Sequence, residues 1–224
     1  MLAKRTMSRP LTDLRKRTFF GLCGAIIFIS AIITSSKATA ILFSLLFFIS
    51  LFELFTMYKQ LKNKLSIAHL ILLGIYPVII TAGTFSAILL RRKYPSLLLL
   101  TVIICTWSAD SGAYFYGMKF GKHFMIPTIS PSKTWEGAVG GFVAPIIAAL
   151  ILGLFSKNFT FSICTGIVAG TFGQLGDIVE SKIKRIVEIK DSGSLIPGHG
   201  GMLDRFDAFF FNSTAMFFIV SVFL

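Results

Sequence analysis

Two stretches of this chain gather side chains suited to phosphates and hard cations. The first is residues 177–207, DIVESKIKRIVEIKDSGSLIPGHGGMLDRFD. From Asp177 to Lys190 the apolar residues Val179, Ile183, Ile186 and Val187 recur at helical spacing, which sets Asp177, Ser181, Lys184, Arg185 and Glu188 on the opposite face. Asp191, Ser192 and Gly193 end that helix, and Pro197-Gly198-His199-Gly200-Gly201 follows, where small side chains let backbone amides approach a ligand closely. Asp204, Arg205 and Asp207 then stand at the mouth of the last apolar run. Asp177 and Asp204 offer hard oxygen ligands to Mg²⁺, which takes one or two carboxylates and completes its shell with water and substrate phosphates. Lys184, Arg185, Lys190 and Arg205 can neutralise the phosphate oxygens that such an ion does not reach. Taken alone, the helix also reads as a basic amphipathic surface on anionic lipid; the glycine loop and LDRFD weigh against that reading.

The second stretch is residues 110–141, DSGAYFYGMKFGKHFMIPTISPSKTWEGAVGG. Ser130, Ser132, Lys133 and Thr134 are suited to gripping a phosphate or sugar, and Trp135 either stacks on a base or anchors the chain at a membrane interface. Gly117 to His123 imitates a phosphate-binding loop superficially but lacks G-x-x-x-x-G-K-[ST] and a preceding strand. His69 and His123 read as structural, whereas His199, flanked by glycine and five residues before Asp204, is placed to donate to a phosphate or act as an acid.

The elements that must position these residues are membrane spans. Of 224 residues, 54% are hydrophobic and only 14% are charged, and the mean hydropathy is +0.79. A water-facing surface needs more ionisable groups, about 25% in ordinary globular chains. The predicted fold is all-α and polytopic, with about seven transmembrane helices and cytoplasmic polar catalytic loops. The runs are Phe19–Thr34, Ala38–Met57, Ile67–Leu90, Pro95–Ala109, Ala138–Phe155, Phe159–Gly176 and Ala208–Leu224. The chain reads as a single membrane domain, with N-terminal spans over 1–109 and a catalytic half over 110–224.

Charge sets the orientation. The net charge of +12 suits membrane orientation and anionic substrates better than nucleic acid, because the 24 Phe lie in apolar runs instead of alternating with basic residues. With the N-terminus inside, segments 1–18, 58–66, 110–137 and 177–207 hold 17 of the 22 Lys and Arg. The cluster Arg91-Arg92-Lys93 violates the pattern and points to an irregular fold over 67–109. Eight of the ten carboxylates lie in the two chemical segments; Glu53, inside the second run, reads either as an interfacial residue or as a functional one. Cys23, Cys105 and Cys164 read as buried small hydrophobes, with neither a disulfide nor zinc expected. The basic head and Ala38-Thr39-Ala40 imitate a cleaved leader, but the first apolar run is long for one and further spans follow directly.

Ser181 to Asp207, SKIKRIVEIKDSGSLIPGHGGMLDRFD, resembles the signature of the phosphatidate cytidylyltransferases, the CDP-diacylglycerol synthases, in its S, K-R, K-D, H-G-G and D-R-x-D pattern. DSGAY at Asp110, SPSKTWEG and GQLGD resemble other blocks of that family, so the likeness covers roughly the C-terminal half. It implies transfer of CMP from CTP to phosphatidic acid with Mg²⁺, giving CDP-diacylglycerol and pyrophosphate. It also implies metal ligation by Asp177 and Asp204, with Asp191 as a third candidate and Asp110 or Asp207 at a second ion. Lys184, Arg185, Lys190 and Arg205 would bind phosphates in a cradle shaped by Ser181, His199, Gly200 and Gly201, and Ser130, Lys133, Thr134, Trp135 and Glu136 would complete the substrate site. An integral protein of a bacterial inner membrane, working from its cytoplasmic side and able to form a homodimer, is the corresponding expectation. The rivals are a CTP-dependent polyprenol or lipid kinase and, in another class, an organic-anion transporter. A CDP-alcohol phosphotransferase is disfavoured by the lack of D-G-x-x-A-R.

Overall fold

The computed structural model describes residues 11–61, 65–156, 158–195 and 200–223, with side chains from Gly21 onward. Its elements are α1 (Leu11–Thr34), α2 (Ser36–Tyr58), α3 (Ile67–Lys93), α4 (Ser96–Phe120), β1 (Phe124–Ile126), β2 (Ser130–Thr134), α5 (Trp135–Ser156), α6 (Phe159–Val168), a π turn (Ala169–Gly173), α7 (Gln174–Ile186) and α8 (Leu203–Phe223). Among the described residues six helices are long and apolar enough to cross a membrane, α6, the π turn and α7 counting as one, and α1 adds a shorter apolar stretch, Gly21–Thr34. The all-α polytopic architecture expected from the sequence is therefore present.

Local chemistry starts these helices. Ser35 Oγ accepts from the Ala38 amide, Ser66 Oγ from His69, Asn158 Oδ1 from Phe161 and Thr134 Oγ1 from Gly137, each occupying an amide that the first turn leaves unpaired. Bulky residues such as Phe48, Phe52 and Phe155 stay outside at 67%, 67% and 70% exposure, as lipid-facing surface should. Inside, Phe43 stacks on Phe209 at 5.4 Å and Phe28 packs at a tilt against Phe206 at 4.9 Å, joining α1 and α2 to α8.

Where lipid surrounds helices on all sides, close backbone packing replaces the hydrophobic drive. The α4–α5 pair shows this: a Cβ on Gly112 would lie 2.5 Å from the Gly140 carbonyl oxygen, so the glycines of DSGAY and WEGAVGG permit the helices to touch. At the α6–α7 junction the π turn frees carbonyls, and Gln174 Nε2 donates to Gly170 O at 2.6 Å and to Ala138 O of α5 at 3.0 Å.

Several boundaries differ from those expected. The run ending at Ala109 continues as helix to Phe120, so Asp110 lies within α4 and DSGAYFYGMKF is helical. The fifth span begins at Trp135, not Ala138, and the last at Leu203, not Ala208, which places Asp204, Arg205 and Asp207 in the first turns of α8. The amphipathic segment is continuous with the sixth span and stops at Ile186 instead of Lys190, because Glu188 turns to φ 61°. Residues 67–109 hold two plain helices broken only at Tyr94-Pro95; Arg91 Nε donates to Ile32 O at 2.7 Å and Lys93 Nζ lies 5.6 Å from the Phe217 ring centre. The short antiparallel hairpin β1–β2 was not expected.

Candidate active site

The C-terminal end of α4, the length of α7 and the N-terminal ends of α5 and α8 meet the hairpin at one end of the bundle. They enclose a cavity of about 1320 Å³. From α4 come Asp110, Tyr114 and Met118; from the hairpin Met125, Ser132, Lys133 and Thr134; from α7 Gln174, Asp177, Ile178, Glu180 and Lys184; from α8 Asp204, Arg205 and Asp207, with Asp191 beside them. Tyr114, Met118, Met125 and Ile178 give one apolar wall, and the charged groups give the other.

The charges form two linked sets. Lys184 Nζ, 12% exposed, donates to Glu180 Oε2 and to Asp204 Oδ1, each at 2.6 Å, with those carboxylates 1% and 5% exposed. Spacing of four residues puts Glu180 under Lys184 on α7, and the start of α8 brings Asp204 from the other side. The second oxygen of Asp204, Oδ2, accepts from the Ser192 amide at 2.9 Å, the Ser192 hydroxyl at 3.0 Å and the Gly201 amide at 2.9 Å. Across the cavity Lys133 Nζ approaches Asp177 Oδ2 to 2.7 Å without hydrogen-bond alignment, a charge contact between β2 and α7.

Of the residues singled out from the sequence, Asp110, Ser132, Lys133, Thr134, Asp177, Lys184, Asp191, Asp204, Arg205 and Asp207 line this cavity. The other described ones do not. Arg185 Nε donates to Ile129 O at 3.0 Å and Nη1 to Ile189 O at 3.2 Å, tying the hairpin turn to the end of α7. Glu136 accepts from the Lys122 and His123 amides and meets His123 Nδ1 at 2.6 Å, closing the turn after α4. Trp135 is 60% exposed and outside the cavity lining, which favours its interfacial reading. Ser130, Ser181, Lys190, Gly200 and Gly201 are also outside the lining, although the Gly201 amide holds Asp204 from behind. His199 lies outside the described residues.

Two residues of the site, Glu180 and Gln174, were not singled out from the sequence, and a third, Glu53, read there as either interfacial or functional. Glu180 and Gln174 line the cavity, and Glu53 Oε1 accepts from the Met202 amide at 2.9 Å while its Oε2 accepts from Leu203 at 2.8 Å and from Ser192 Oγ at 3.1 Å. A charged residue inside an apolar span is the only hint for Glu53; GQLGDIVES with its helical spacing is the hint for the other two.

A hard cation fits this donor set. Six cavity carboxylates face three cations, Lys133, Lys184 and Arg205, and Glu180 Oε1 is buried with no hydrogen-bond partner. Among the described residues no three acidic, His or Cys side chains already converge as a metal cage. Mg²⁺ does not require one, since water and phosphate complete its shell.

Residues 14–223 match the cytidylyltransferase family. The chain belongs to that family. It is similar to the phosphatidate cytidylyltransferase of Bacillus subtilis (strain 168), at 44% identity over 123 residues, which cover 54% of this chain and 46% of that protein. Its similarity to the phosphatidate cytidylyltransferase of Haemophilus influenzae is 46% over 118 residues, 50% of this chain and 41% of the relative. That to the Staphylococcus epidermidis (strain RP62A) protein of the same description is 46% over 116 residues, 50% and 45%. The chain thus matches less than half the length of these curated relatives. The cavity sets three cations, Lys133, Lys184 and Arg205, and six carboxylates against an apolar wall.

Proposed function

We propose that this protein transfers CMP from CTP to phosphatidic acid, giving CDP-diacylglycerol and pyrophosphate at the cytoplasmic side of a bacterial inner membrane. The observation that carries this reading is a single cavity in which Lys133, Lys184 and Arg205 face Asp177, Asp204 and an apolar wall. The matched relatives are phosphatidate cytidylyltransferases. The volume exceeds the roughly 300–1,000 Å³ of a one-ligand pocket, as a site for a nucleotide beside a lipid head group requires.

In the reaction a lipid phosphate oxygen forms a bond to the α-phosphorus of CTP. The bond from that phosphorus to the bridging β-oxygen breaks, and pyrophosphate leaves with the electron pair. Phosphatidate is ionised near neutral pH, so no protein base is needed to generate the nucleophile. Lys133, at the hairpin, and Arg205 and Lys184, on the opposite wall, neutralise the clustered phosphates and hold them in line. Lys184 is itself fixed by Glu180 and Asp204. Asp177 and Asp204 would hold Mg²⁺, which supplies charge neutralisation on the triphosphate. Tyr114, Met118 and Ile178 offer the acyl chains an apolar surface.

The test is conversion of labelled CTP by the purified, detergent-solubilised protein with phosphatidic acid, with and without Mg²⁺. Magnesium-dependent appearance of α-phosphate label in lipid supports the reading. Label entering lipid only from the γ-phosphate makes the protein a lipid kinase, and flux into sealed vesicles without bond cleavage makes it a transporter.

A further inference from the structure

Glu53 belongs to none of the sequence motifs and comes from α2, 139 to 150 residues before the groups it touches. It is 6% exposed. A buried carboxylate near the end of a membrane span is costly unless its oxygens are fully used. Here both are: the Met202 amide donates to Oε1 and the Leu203 amide, which opens α8, to Oε2, and the Ser192 hydroxyl shares its one proton between Glu53 Oε2 and Asp204 Oδ2. Its charge also faces the positive end of the α8 dipole.

The residues around Glu53 are the ones that hold Asp204. Ser192 donates its amide to Asp204 Oδ2, and its hydroxyl lies between the two carboxylates, 3.1 Å from Glu53 Oε2 and 3.0 Å from Asp204 Oδ2. A Cβ on Gly193 would lie 2.8 Å from Glu53 Oε1, and one on Gly201 2.6 Å from Glu53 Oε2 and against Ser192 Oγ. Both positions are glycine because the backbone wraps this carboxylate. The chain of contact runs from Glu53 through Ser192 and Gly201 to Asp204, and from Asp204 Oδ1 to Lys184.

We propose that Glu53 is a positioning residue of the site: it fixes Ser192, Gly201 and the start of α8 so that Asp204 and Lys184 hold their places on the cavity wall. It touches no cavity space itself and acts only through Asp204. The turnover part of the test rests on the cytidylyl transfer proposed above; the hydrogen-exchange part does not.

Glu53→Ala removes every acceptor, and Glu53→Gln keeps one acceptor oxygen while turning an amide NH2, a donor, toward the donors. In Glu53→Ala, kcat is expected to fall at least about tenfold with the KM for CTP within about twofold, the split of a group acting on the transition state. Added to Asp204→Asn, Glu53→Ala should cost nothing further, whereas added to Lys133→Ala on the opposite wall it should multiply, since only the first pair shares a path. Hydrogen exchange at the Ser192 and Gly201 amides should quicken in both Glu53 variants. Glu53→Gln carries the same kcat and exchange readings if Glu53→Ala does not fold. Unchanged kcat per folded molecule, independent costs with Asp204→Asn, or unchanged exchange would each overturn the proposal. Absence of turnover in the wild-type protein would instead remove the proposed activity, and exchange would still decide whether Glu53 holds Ser192 and Gly201.

Discussion

One ammonium, Lys184 Nζ, holds two nearly buried carboxylates at 2.6 Å each, while the Lys133–Asp177 pair across the cavity is 24% and 41% exposed. The two contacts respond differently to removal of the lysine. Lys184→Met leaves Glu180 and Asp204 facing each other without a counter-charge, a loss of about 3–5 kcal/mol for a broken buried pair, together with loss of turnover. Thermal unfolding in detergent, read beside turnover, checks it. Lys133 Nζ is itself buried, but its partner Asp177 is 41% exposed and regains water when the lysine is removed, so Lys133→Ala should destabilise less than Lys184→Met, while kcat/KM for CTP falls at least about tenfold. A Lys133 variant as unstable as the Lys184 variant would show the contact with Asp177 to be structural. At this scale the sequence was informative about residue type and less so about neighbours. Helical spacing brought Asp177 and Lys184 forward, residue type and the family resemblance brought Asp204, and all three line the cavity. Arg185 and Glu136 have the same chemistry, yet their partners are backbone groups at Ile129 and at Lys122 and His123, which no periodicity reports. Glu53 stayed ambiguous because its donors lie far along the chain.

The elements set these side chains by two devices, the glycine contact between α4 and α5 and the π turn before α7. A Cβ at Gly112 would meet both Ala144 Cβ and the Gly140 carbonyl at 2.5 Å. Gly112→Ala must therefore push α4 from α5, a destabilisation of about 1–3 kcal/mol for overpacking, and should shift Asp110 in the same helix. Gln174→Leu leaves the Gly170 and Ala138 carbonyls without their amide donor. A loss of about 1–3 kcal/mol is expected, with turnover falling further than stability because Asp177 lies one turn on. Thermal unfolding and kinetics on both variants decide this; a Gln174→Leu protein with wild-type kcat would separate the π turn from the site. Hydropathy located the spans well because lipid-facing residues must be apolar. It misplaced the ends of α4 and α8, since a helix continues past the membrane core wherever glycine packing or a buried ion pair supports it. The hairpin escaped notice because its strands have three and five residues and include Pro131.

Across the whole molecule the carboxylates and the surplus cations separate. Glu53, Asp110, Glu136, Asp177, Glu180, Glu188, Asp191, Asp204 and Asp207 all lie toward the cavity end, whereas Lys37, Arg91, Arg92 and Lys93 lie toward the other. The 28 residues from Phe159 to Ile186 span about 42 Å as helix, longer than the roughly 30 Å hydrocarbon core. The last turns of α7, with Lys184, therefore reach beyond the lipid toward water. In the proposed reaction this geometry would let a nucleotide too polar to enter a bilayer meet a phosphate that cannot leave one. Basic residues favour the cytoplasmic face, and among the described residues 12 of 16 Lys and Arg belong to segments at the cavity end. The cluster Arg91-Arg92-Lys93 opposes that count but is held at the α3 terminus, where the helix dipole favours cations and Arg91 occupies the Ile32 carbonyl. Its position is thus set by folding, not by insertion. The expected result is that a cysteine placed at Lys122 is labelled by a membrane-impermeant maleimide only after inner-membrane vesicles are made inside out, and one placed at Arg92 only in intact spheroplasts. The reverse pattern would put the cavity on the face where CTP is absent and would exclude the proposed reaction, whatever the chemistry of its walls.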